Sequence, residues 1–307
     1  MYRFSKINYV LMLAIFTLLI LSGCKKAKFV PCFKMVNCES KIKKVTIWVH
    51  GTKTITELIP KIFFVPSGLN KTEIIDSTYY IKEMHSILCN VSPCDFNFDD
   101  FYAFGWSGGL GYNYRLIAAQ DLYLAIQKLI SEYNDKGFEV ELTIITHSHG
   151  GNVALNLANI HNEIQNSKEK INFKVDRLIL LACPIQDQTH SLIHDNIFKK
   201  VYSIYSKADM LQVVDPQGLY KENKNKNVSL FSNRRFKHCD KLKQVKIKIN
   251  GRAIMHSEFL SRRFLKILPG LLKIMDDITC DDNEHLVKME YKNESIKNTV
   301  IKVCRKS

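Results

Sequence analysis

The stretch that decides the fold is Glu139-Val140-Glu141-Leu142-Thr143-Ile144-Ile145-Thr146-His147-Ser148-His149-Gly150-Gly151. Its apolar, β-branched first half is typical of a buried strand, and Asn152 to Ala158 carry apolar side chains at helical spacing. The pattern predicts a strand, then a sharp turn that carries one serine, then a helix. In this arrangement the serine hydroxyl stands clear of the sheet, beside the free N–H groups of the helix N-terminus. Because an ordinary serine is a poor nucleophile, this geometry singles out Ser148 as a candidate. The alternative is a plain helix N-cap, where serine is common.

Length and composition limit the classes of protein to which this motif can belong. The chain has 307 residues, 46% of them hydrophobic. It is long enough for one large α/β domain with appendages or for two small domains, and its apolar fraction excludes a disordered or fibrous protein. The formal net charge is +14. Nucleic acid is one partner for a basic chain, but an exported protein meets little of it, so we expect a solvated surface that also suits an anionic membrane.

The first residues predict export. A basic segment precedes an apolar run from Val10 to Leu21, and small residues follow, so residues 1–23 have the layout of a signal peptide. The apolar run is shorter than the roughly 20 residues of a membrane span, although a plain anchor is the alternative. Leu21-Ser22-Gly23-Cys24 resembles the bacterial lipobox. The resemblance implies that Cys24 is lipidated and tethers a lipoprotein to a membrane of the bacterial cell envelope.

The remaining chain divides by composition and pattern. Residues 24–43 are basic and predict a tether, residues 44–276 predict one catalytic domain, and the polar residues 277–307 predict an appended tail. Strands alternate with helices in the domain, which favours an α/β fold with a mostly parallel central sheet and helices on both faces. The predicted strands are Val45–Val49, Phe101–Trp106, Glu139–Ile145, Arg177–Ala182, Lys200–Tyr205 and Val245–Ile249, and the predicted helices are Leu116–Tyr133, Asn152–Gln165 and Glu258–Ile274, the last ending near Pro269.

Two further motifs stand at the ends of predicted strands. Thr46-Ile47-Trp48-Val49-His50-Gly51-Thr52 is a strand that ends in His-Gly. Asp209 follows one later strand, and His256 follows another, just before the last helix. Together with the segment Thr146 to Gly150, these motifs resemble the α/β-hydrolase family, esterase and lipase branch, over roughly residues 45–275, in the chain order serine, acid, histidine. The fold expected from the resemblance is the α/β-hydrolase fold.

The resemblance implies roles for individual residues. Ser148, Asp209 and His256 would form a catalytic triad, and the backbone N–H groups of His149 and Thr52 would form the oxyanion hole. His50 would brace its loop.

Some choices stay open at this point. Thr146 departs from the first glycine of the family pattern Gly-x-Ser-x-Gly; threonine is small but stiffer, because it is β-branched. Asp215 and then Asp187 are the alternatives to Asp209 as the acid.

A glycine-rich stretch, Phe104 to Arg115, follows one predicted strand. It lacks the Lys-Ser/Thr ending of a phosphate-binding loop. We interpret it as a wall of the substrate pocket, to which Trp106, Tyr112 and Tyr114 contribute apolar surface. No cofactor is expected.

The nine cysteines suit an exported protein, in which disulfides are permitted. No Cys-x-x-Cys pair is present, so no metal site is expected. The close pairs Cys32/Cys38 and Cys89/Cys94 are plausible disulfides, Cys280/Cys304 could join the tail, and Cys183 is expected to be a buried thiol.

These patterns lead to one functional hypothesis with alternatives. The expected activity is hydrolysis of a carboxylic ester, with lipid esters among the candidate substrates, through an acyl-enzyme at Ser148. An amidase or acyltransferase would use the same triad. A membrane-tethered binding protein without catalytic activity is the alternative from another class, since this fold serves many functions.

Overall fold

The computed structural model describes residues 41–53, 65–165, 173–214, 231–278, 284–292 and 295–303. The predicted signal peptide, the lipidation site Cys24 and the alternative acid Asp215 lie outside the described residues. So do the cysteine pairs Cys32/Cys38 and Cys280/Cys304.

The described strands form one sheet. Seven neighbouring strands run parallel to one another, and only the two outer strands and a short hairpin strand run antiparallel. Parallel strands bring their carboxyl ends to one rim, where ligands bind in such sheets. The strands are β1 (Ile42–Val49), β2 (Gly68–Lys71), β3 (Phe101–Gly105), β4 (Glu139–His147), β5 (Val175–Leu181), β6 (Phe198–Tyr205), β7 (Leu242–Ile249), β8 (Arg252–Ala253), β9 (Glu284–Lys292) and β10 (Ser295–Val303). Their order is β10-β9-β7-β6-β5-β4-β1-β3-β2, with β8 paired to β7.

Helices cover both faces of this sheet. The α-helices are α1 (Tyr80–Val91), α2 (Tyr112–Asn134), α3 (Gly150–Leu155), α4 (Leu157–Gln165) and α5 (Arg262–Asp277), and short 3-10 turns span Thr72–Ile74, Leu192–His194 and His256–Leu260. Helices α2, α3 and α4 pack with one face, while α1 and α5 pack with the other. The expected α/β fold, with a mostly parallel sheet and helices on both faces, is confirmed.

The central strands are apolar on both sides because both sides are covered. In β1, Val45, Ile47 and Val49 belong to the core beneath α2, whereas Trp48 belongs to the core beneath α1 and α5. Strands that are buried on both faces have continuous apolar runs in their sequence, and β1 and β4 show this pattern.

The predicted helix Asn152–Gln165 is interrupted at one residue. Asn156 separates α3 from α4, and its side-chain amide donates a hydrogen bond to the carbonyl oxygen of Asn152 at 2.8 Å. Asparagine side chains compete with helical hydrogen bonds in this way. The last helix, α5, ends later than the sequence predicts. It passes through Pro269 to Asp277, since buried apolar side chains on both sides of the proline hold it against the sheet.

The C-terminal region also differs from the appended tail that the sequence predicts. Within residues 277–307, β9 pairs in parallel with β7, and β10 pairs antiparallel with β9, so this region extends the sheet. Val287 and Met289 alternate with more polar neighbours and are buried. That alternation is a strand signal.

The plausible disulfide between Cys89 and Cys94 is not formed: Cys94 is an exposed free thiol and Cys89 is buried. Cys183 is buried, as predicted. Among the helices of the described residues, none combines the length and the apolar composition that crossing a bilayer requires.

Candidate active site

Ser148 occupies a sharp turn between a strand and a helix. Strand β4 ends at His147, α3 begins at Gly150, and Ser148 has a positive φ of 54°. This left-handed conformation costs a residue with a side chain on the order of 1 kcal/mol or more. Two hydrogen bonds hold the turn: the Ser148 N–H donates to Leu181 O, and the Gly151 N–H donates to Ser148 O, both at 2.9 Å. The left-handed conformation of Ser148 is therefore held in place by strand β5, through Leu181, and by the first turn of α3, through Gly151.

The turn needs a glycine at its far end but not at its near end. A Cβ atom on Gly150 would lie 2.5 Å from the carbonyl oxygens of both Val49 and His50. Thr146, at the first position of the family pattern, is buried, and its hydroxyl donates to Ile179 O at 3.1 Å. Threonine is tolerated there because its side chain is satisfied within the sheet.

The loop that follows β1 lies directly against the serine. A Cβ atom on Gly51 would sit 2.9 Å from the Cβ and 3.5 Å from the Oγ of Ser148. Thr52 comes next, and the N–H of Lys53 donates to Gly108 O at 2.9 Å. The Thr52 hydroxyl oxygen is buried without a hydrogen-bond partner. This loop thus brings the backbone of Thr52 close to the candidate nucleophile.

His50 and Trp106 brace this loop. The Nδ1–H of His50 donates to Gly51 O at 2.6 Å, and its Nε2 accepts the N–H of Trp106 at 3.2 Å. The indole N–H of Trp106 donates to His50 O at 2.8 Å. Burial lowers the pKa of His50 to about 4, so the imidazole is neutral and keeps this tautomer. Trp106 is only 4% exposed, and its indole supports the loop; its contribution to the wall of a substrate pocket stays a prediction.

The candidate acid, Asp209, and the candidate base, His256, meet at the same rim. His256 Nδ1 lies 2.8 Å from Asp209 Oδ2, and the other oxygen, Oδ1, accepts the backbone N–H of Gln212 at 3.1 Å. The Asp209 side chain is fully buried, whereas that of His256 is 13% exposed. Of the alternative acids, Asp187 is exposed on its loop. The structure therefore pairs His256 with Asp209.

Residues that sequence reasoning missed hold the backbone of this pair. Arg234 donates from Nη2 and Nε to the carbonyl oxygen of Asp209, at 2.7 and 3.2 Å. Nε2 of His147 lies 3.0 Å from the carbonyl oxygen of His256. These partners are 25 and 109 residues apart along the chain. No local pattern links residues so far apart, so the sequence carries no signal for either contact.

His149, which follows the serine, is buried with its imidazole turned into the protein. Its Nδ1 lies 3.3 Å from Asn152 Nδ2 and 3.4 Å from Arg115 Nη1, both of which are donors. Nδ1 therefore accepts hydrogen bonds. The imidazole is thus engaged within the protein, and the backbone of His149 stands at the N-terminal cap of α3.

The remaining pocket candidates lie in different surroundings. The Tyr112 hydroxyl donates to Asn156 Oδ1 at 2.9 Å, and burial raises the pKa of this phenol. Tyr114 is exposed, and its ring covers Gly109. Their contribution to a substrate pocket stays a prediction. Across the described residues, no three His, Cys, Asp or Glu side chains converge as metal ligands.

Comparisons with known proteins give distant similarity. No protein-family model matches the chain, and no curated protein matches it. Among solved structures, an arylesterase is similar at 11% identity, with 87% of this chain and 92% of that chain covered and a TM-score of 0.36. Lipase B from Aspergillus fumigatus is similar at 14% identity, with 78% and 54% covered and a TM-score of 0.38. Phospholipase PlaB from Legionella pneumophila is similar at 12% identity, with 86% and 50% covered and a TM-score of 0.34.

The chain thus spans about half the length of the last two proteins. Similarity at this level says nothing about chemistry, which depends on the residues of the site itself.

Proposed function

We propose that this protein is a serine hydrolase that cleaves carboxylic esters at Ser148. The observation that carries the proposal is the 2.8 Å contact between His256 and Asp209, on the same rim of the sheet as the strained turn of Ser148. A plain N-cap serine has no need of a left-handed backbone, because N-cap residues have extended φ and ψ angles. Strain of this kind clusters at active sites and ligand-binding positions, and in Ser148 it coincides with the acid–base pair. Ala182 and Asn250 also have positive φ angles, so the turn supports the proposal only together with that pair.

The proposed chemistry follows from the hydrogen bonds of the base. Asp209 accepts Nδ1–H of His256, so Nε2 of the imidazole is left as the atom that takes the hydroxyl proton of Ser148. Ser148 Oγ attacks the ester carbonyl carbon. The imidazolium then returns the proton to the leaving alcohol, and an acyl-enzyme forms. Water, activated by the same imidazole, releases the acid and restores the serine.

The oxyanion formed during attack needs donors that are already in place. We assign this role to the backbone N–H groups of His149 and Thr52. His149 is the residue after the nucleophile, and Thr52 follows Gly51, which packs against Ser148. Removing one such donor costs about 3 kcal/mol of transition-state stabilisation in other enzymes.

Apolar side chains beside the acid and the base favour an apolar substrate. Met210 follows Asp209 and is 59% exposed, and Met255 precedes His256 and is 45% exposed. Exposed methionines form adaptable apolar surface. We therefore propose that the acyl or alcohol group of the ester is hydrophobic, as in a lipid.

Labelling with a fluorophosphonate probe tests the proposed nucleophile. We expect the wild-type protein to be labelled and to hydrolyse p-nitrophenyl esters, with longer acyl chains preferred over acetate. Ser148→Ala should abolish labelling and lower kcat by about 10⁴-fold or more. Ser191→Ala, at an exposed serine, is the matched control and should change neither. Labelling or ester hydrolysis that survives in Ser148→Ala would contradict the proposal.

We further propose that Cys24 carries a lipid that tethers the protein to a membrane of the bacterial cell envelope. The support is the order of basic, apolar and small residues before Cys24. In cells fed an alkyne fatty acid, the wild-type protein should incorporate the label and sediment with membranes. A Cys24→Ala protein with the same processing and the same membrane fraction would refute the tether.

A further inference from the structure

His147 makes two contacts with the catalytic base that the proposed mechanism does not use. The centres of the His147 and His256 rings are 4.6 Å apart, and the rings are tilted by 51°. Nε2 of His147 lies 3.0 Å from the backbone carbonyl oxygen of His256. Because a carbonyl oxygen can only accept, His147 Nε2 must carry the hydrogen.

The surroundings of His147 keep it in this neutral form. The side chain is buried, with 7% of the residue exposed. Burial, and next the neighbouring imidazole of His256, hold the pKa of His147 well below its usual value. The tautomer with hydrogen on Nε2 and none on Nδ1 is therefore maintained, and the residue acts as a fixed donor.

The donor from His147 reaches the base at a point where its chain neighbours are exposed. Met255 before His256 and Ser257 after it both face solvent, and the 3-10 helix that begins at His256 has only 5 residues. Asp209 holds the imidazole ring of His256 through Nδ1. A ring fixed at that atom alone could still move with its backbone.

We infer that His147 is a positioning residue that ties the backbone of His256 to the sharp turn of Ser148 between β4 and α3, which we call the nucleophile elbow. The donor and the nucleophile are consecutive residues at the end of β4. One strand end therefore sets both the position of Ser148 and the position of the base that must reach it. This inference rests on the proposed function, because it assigns His147 a part in the same reaction. His147 acts through His256, whose backbone and ring it contacts, and takes no part in the proposed proton transfer.

Two substitutions separate this role from simple packing. His147→Gln keeps an N–H donor close to the position of Nε2, whereas His147→Met has a similar volume and no donor. A displaced base costs rate more than binding, and an error of about 1 Å can cost about 100-fold. We expect His147→Met to lower kcat and the rate of fluorophosphonate labelling by about 10- to 100-fold with KM unchanged. His147→Gln should recover most of that loss.

His85 provides a matched control from outside the site. Its imidazole is also buried, its Nε2 lies 2.9 Å from the carbonyl oxygen of Phe98, and it packs on two aromatic rings. His85→Met should lower the melting temperature about as much as His147→Met. Its labelling rate per folded molecule should match that of the wild type.

The outcomes distinguish the inference from the function beneath it. A wild-type protein that the probe does not label would overturn both. If the wild type is labelled and His147→Met reacts at the same rate, or if Gln and Met lose rate equally, only the positioning role falls. Should His147→Met not fold, His147→Leu takes its place. If neither folds while His147→Gln does, the bond serves folding, and the inference is wrong.

Discussion

The proposed nucleophile and the proposed acid–base pair are built in different ways. The turn of Ser148 is formed by consecutive residues and held by backbone contacts with Leu181 and with the β1 loop at Gly51. Asp209 and His256 are 47 residues apart and meet through one side-chain hydrogen bond. Arg234 and His147 hold this pair from elsewhere in the chain.

The two regions should therefore be sensitive to different kinds of substitution. The elbow depends on close packing of backbone, so an added methyl group should damage it. The acid–base pair depends on particular donors and acceptors, so a change that preserves shape but alters hydrogen bonding should damage it. Substitutions that add volume therefore test the turn of Ser148, and substitutions that alter hydrogen bonding test the acid–base pair.

The largest effect is expected from Asp209→Asn. The amide keeps the shape of the side chain but removes its charge and disfavours the tautomer of His256 that leaves Nε2 open. We expect kcat to fall by about 10⁴-fold with little change in melting temperature. Steady-state kinetics with a p-nitrophenyl ester measure this. Asp187→Asn and Asp215→Asn are the controls, and a comparable loss in either would move the acid away from Asp209.

Gly150→Ala tests the packing of the elbow. The new Cβ atom would meet two carbonyl oxygens at 2.5 Å, so strand and helix must separate. Overpacking of this kind costs about 1–3 kcal/mol of unfolding free energy, measured by urea denaturation. Gly270→Ala in α5 is the control, because its Cβ atom would meet nothing within 4 Å. That change should stabilise by about 0.5–1 kcal/mol. Equal effects at the two glycines would contradict the packing argument.

Acid should weaken the fold through two buried histidines, His50 beside the Ser148 turn and His85 outside the site. Burial lowers the pKa of His50 and of His85 from 6.5 to about 4. Between these values the unfolded chain binds protons that the folded chain does not, so stability is full above pH 6.5 and is lost as the pH falls towards 4. The loss is about 2 to 3 kcal/mol for each histidine.

His85→Gln tests this pH dependence, because glutamine can still donate to Phe98 O but cannot be protonated. Urea denaturation at pH 7 and pH 4.5 should show a smaller fall in the variant than in the wild type. The same fall in both proteins would rule His85 out as a source.

The smallest effect is expected at Arg234, which holds the backbone of Asp209 and not its carboxylate. Arg234→Met should lower kcat about tenfold, equivalent to about 1.4 kcal/mol, with KM little changed. Arg234→Lys keeps the charge but loses the fork of two donors, so it should recover only part of the rate. Full recovery in the lysine variant would assign the effect to charge instead of to geometry.

The central fold was predictable because its signals are local. The strands β1, β4, β5, β6 and β7 and the helix α2 are evident as apolar runs or helical spacing, and their alternation implies a parallel sheet. Helix α1 was not recognised, nor was the pairing of β9 with β7. Helix α3 was predicted as continuous with α4, because spacing does not reveal that Asn156 turns its side chain back onto Asn152.

The sequence by itself determined the strand and the helix around Ser148 and marked the turn between them, because apolar runs, helical spacing and small residues are local signals. The contacts that hold the turn, with Leu181 and with the loop after β1, are tertiary. The order of motifs in the sequence also nominated Asp209 and His256. Only the tertiary structure decided that these two side chains meet, that Trp106 supports a loop, and that His147 and Arg234 hold the pair. Contacts between residues 25 to 109 positions apart depend on how the strands are ordered in the sheet, and no local pattern records that order.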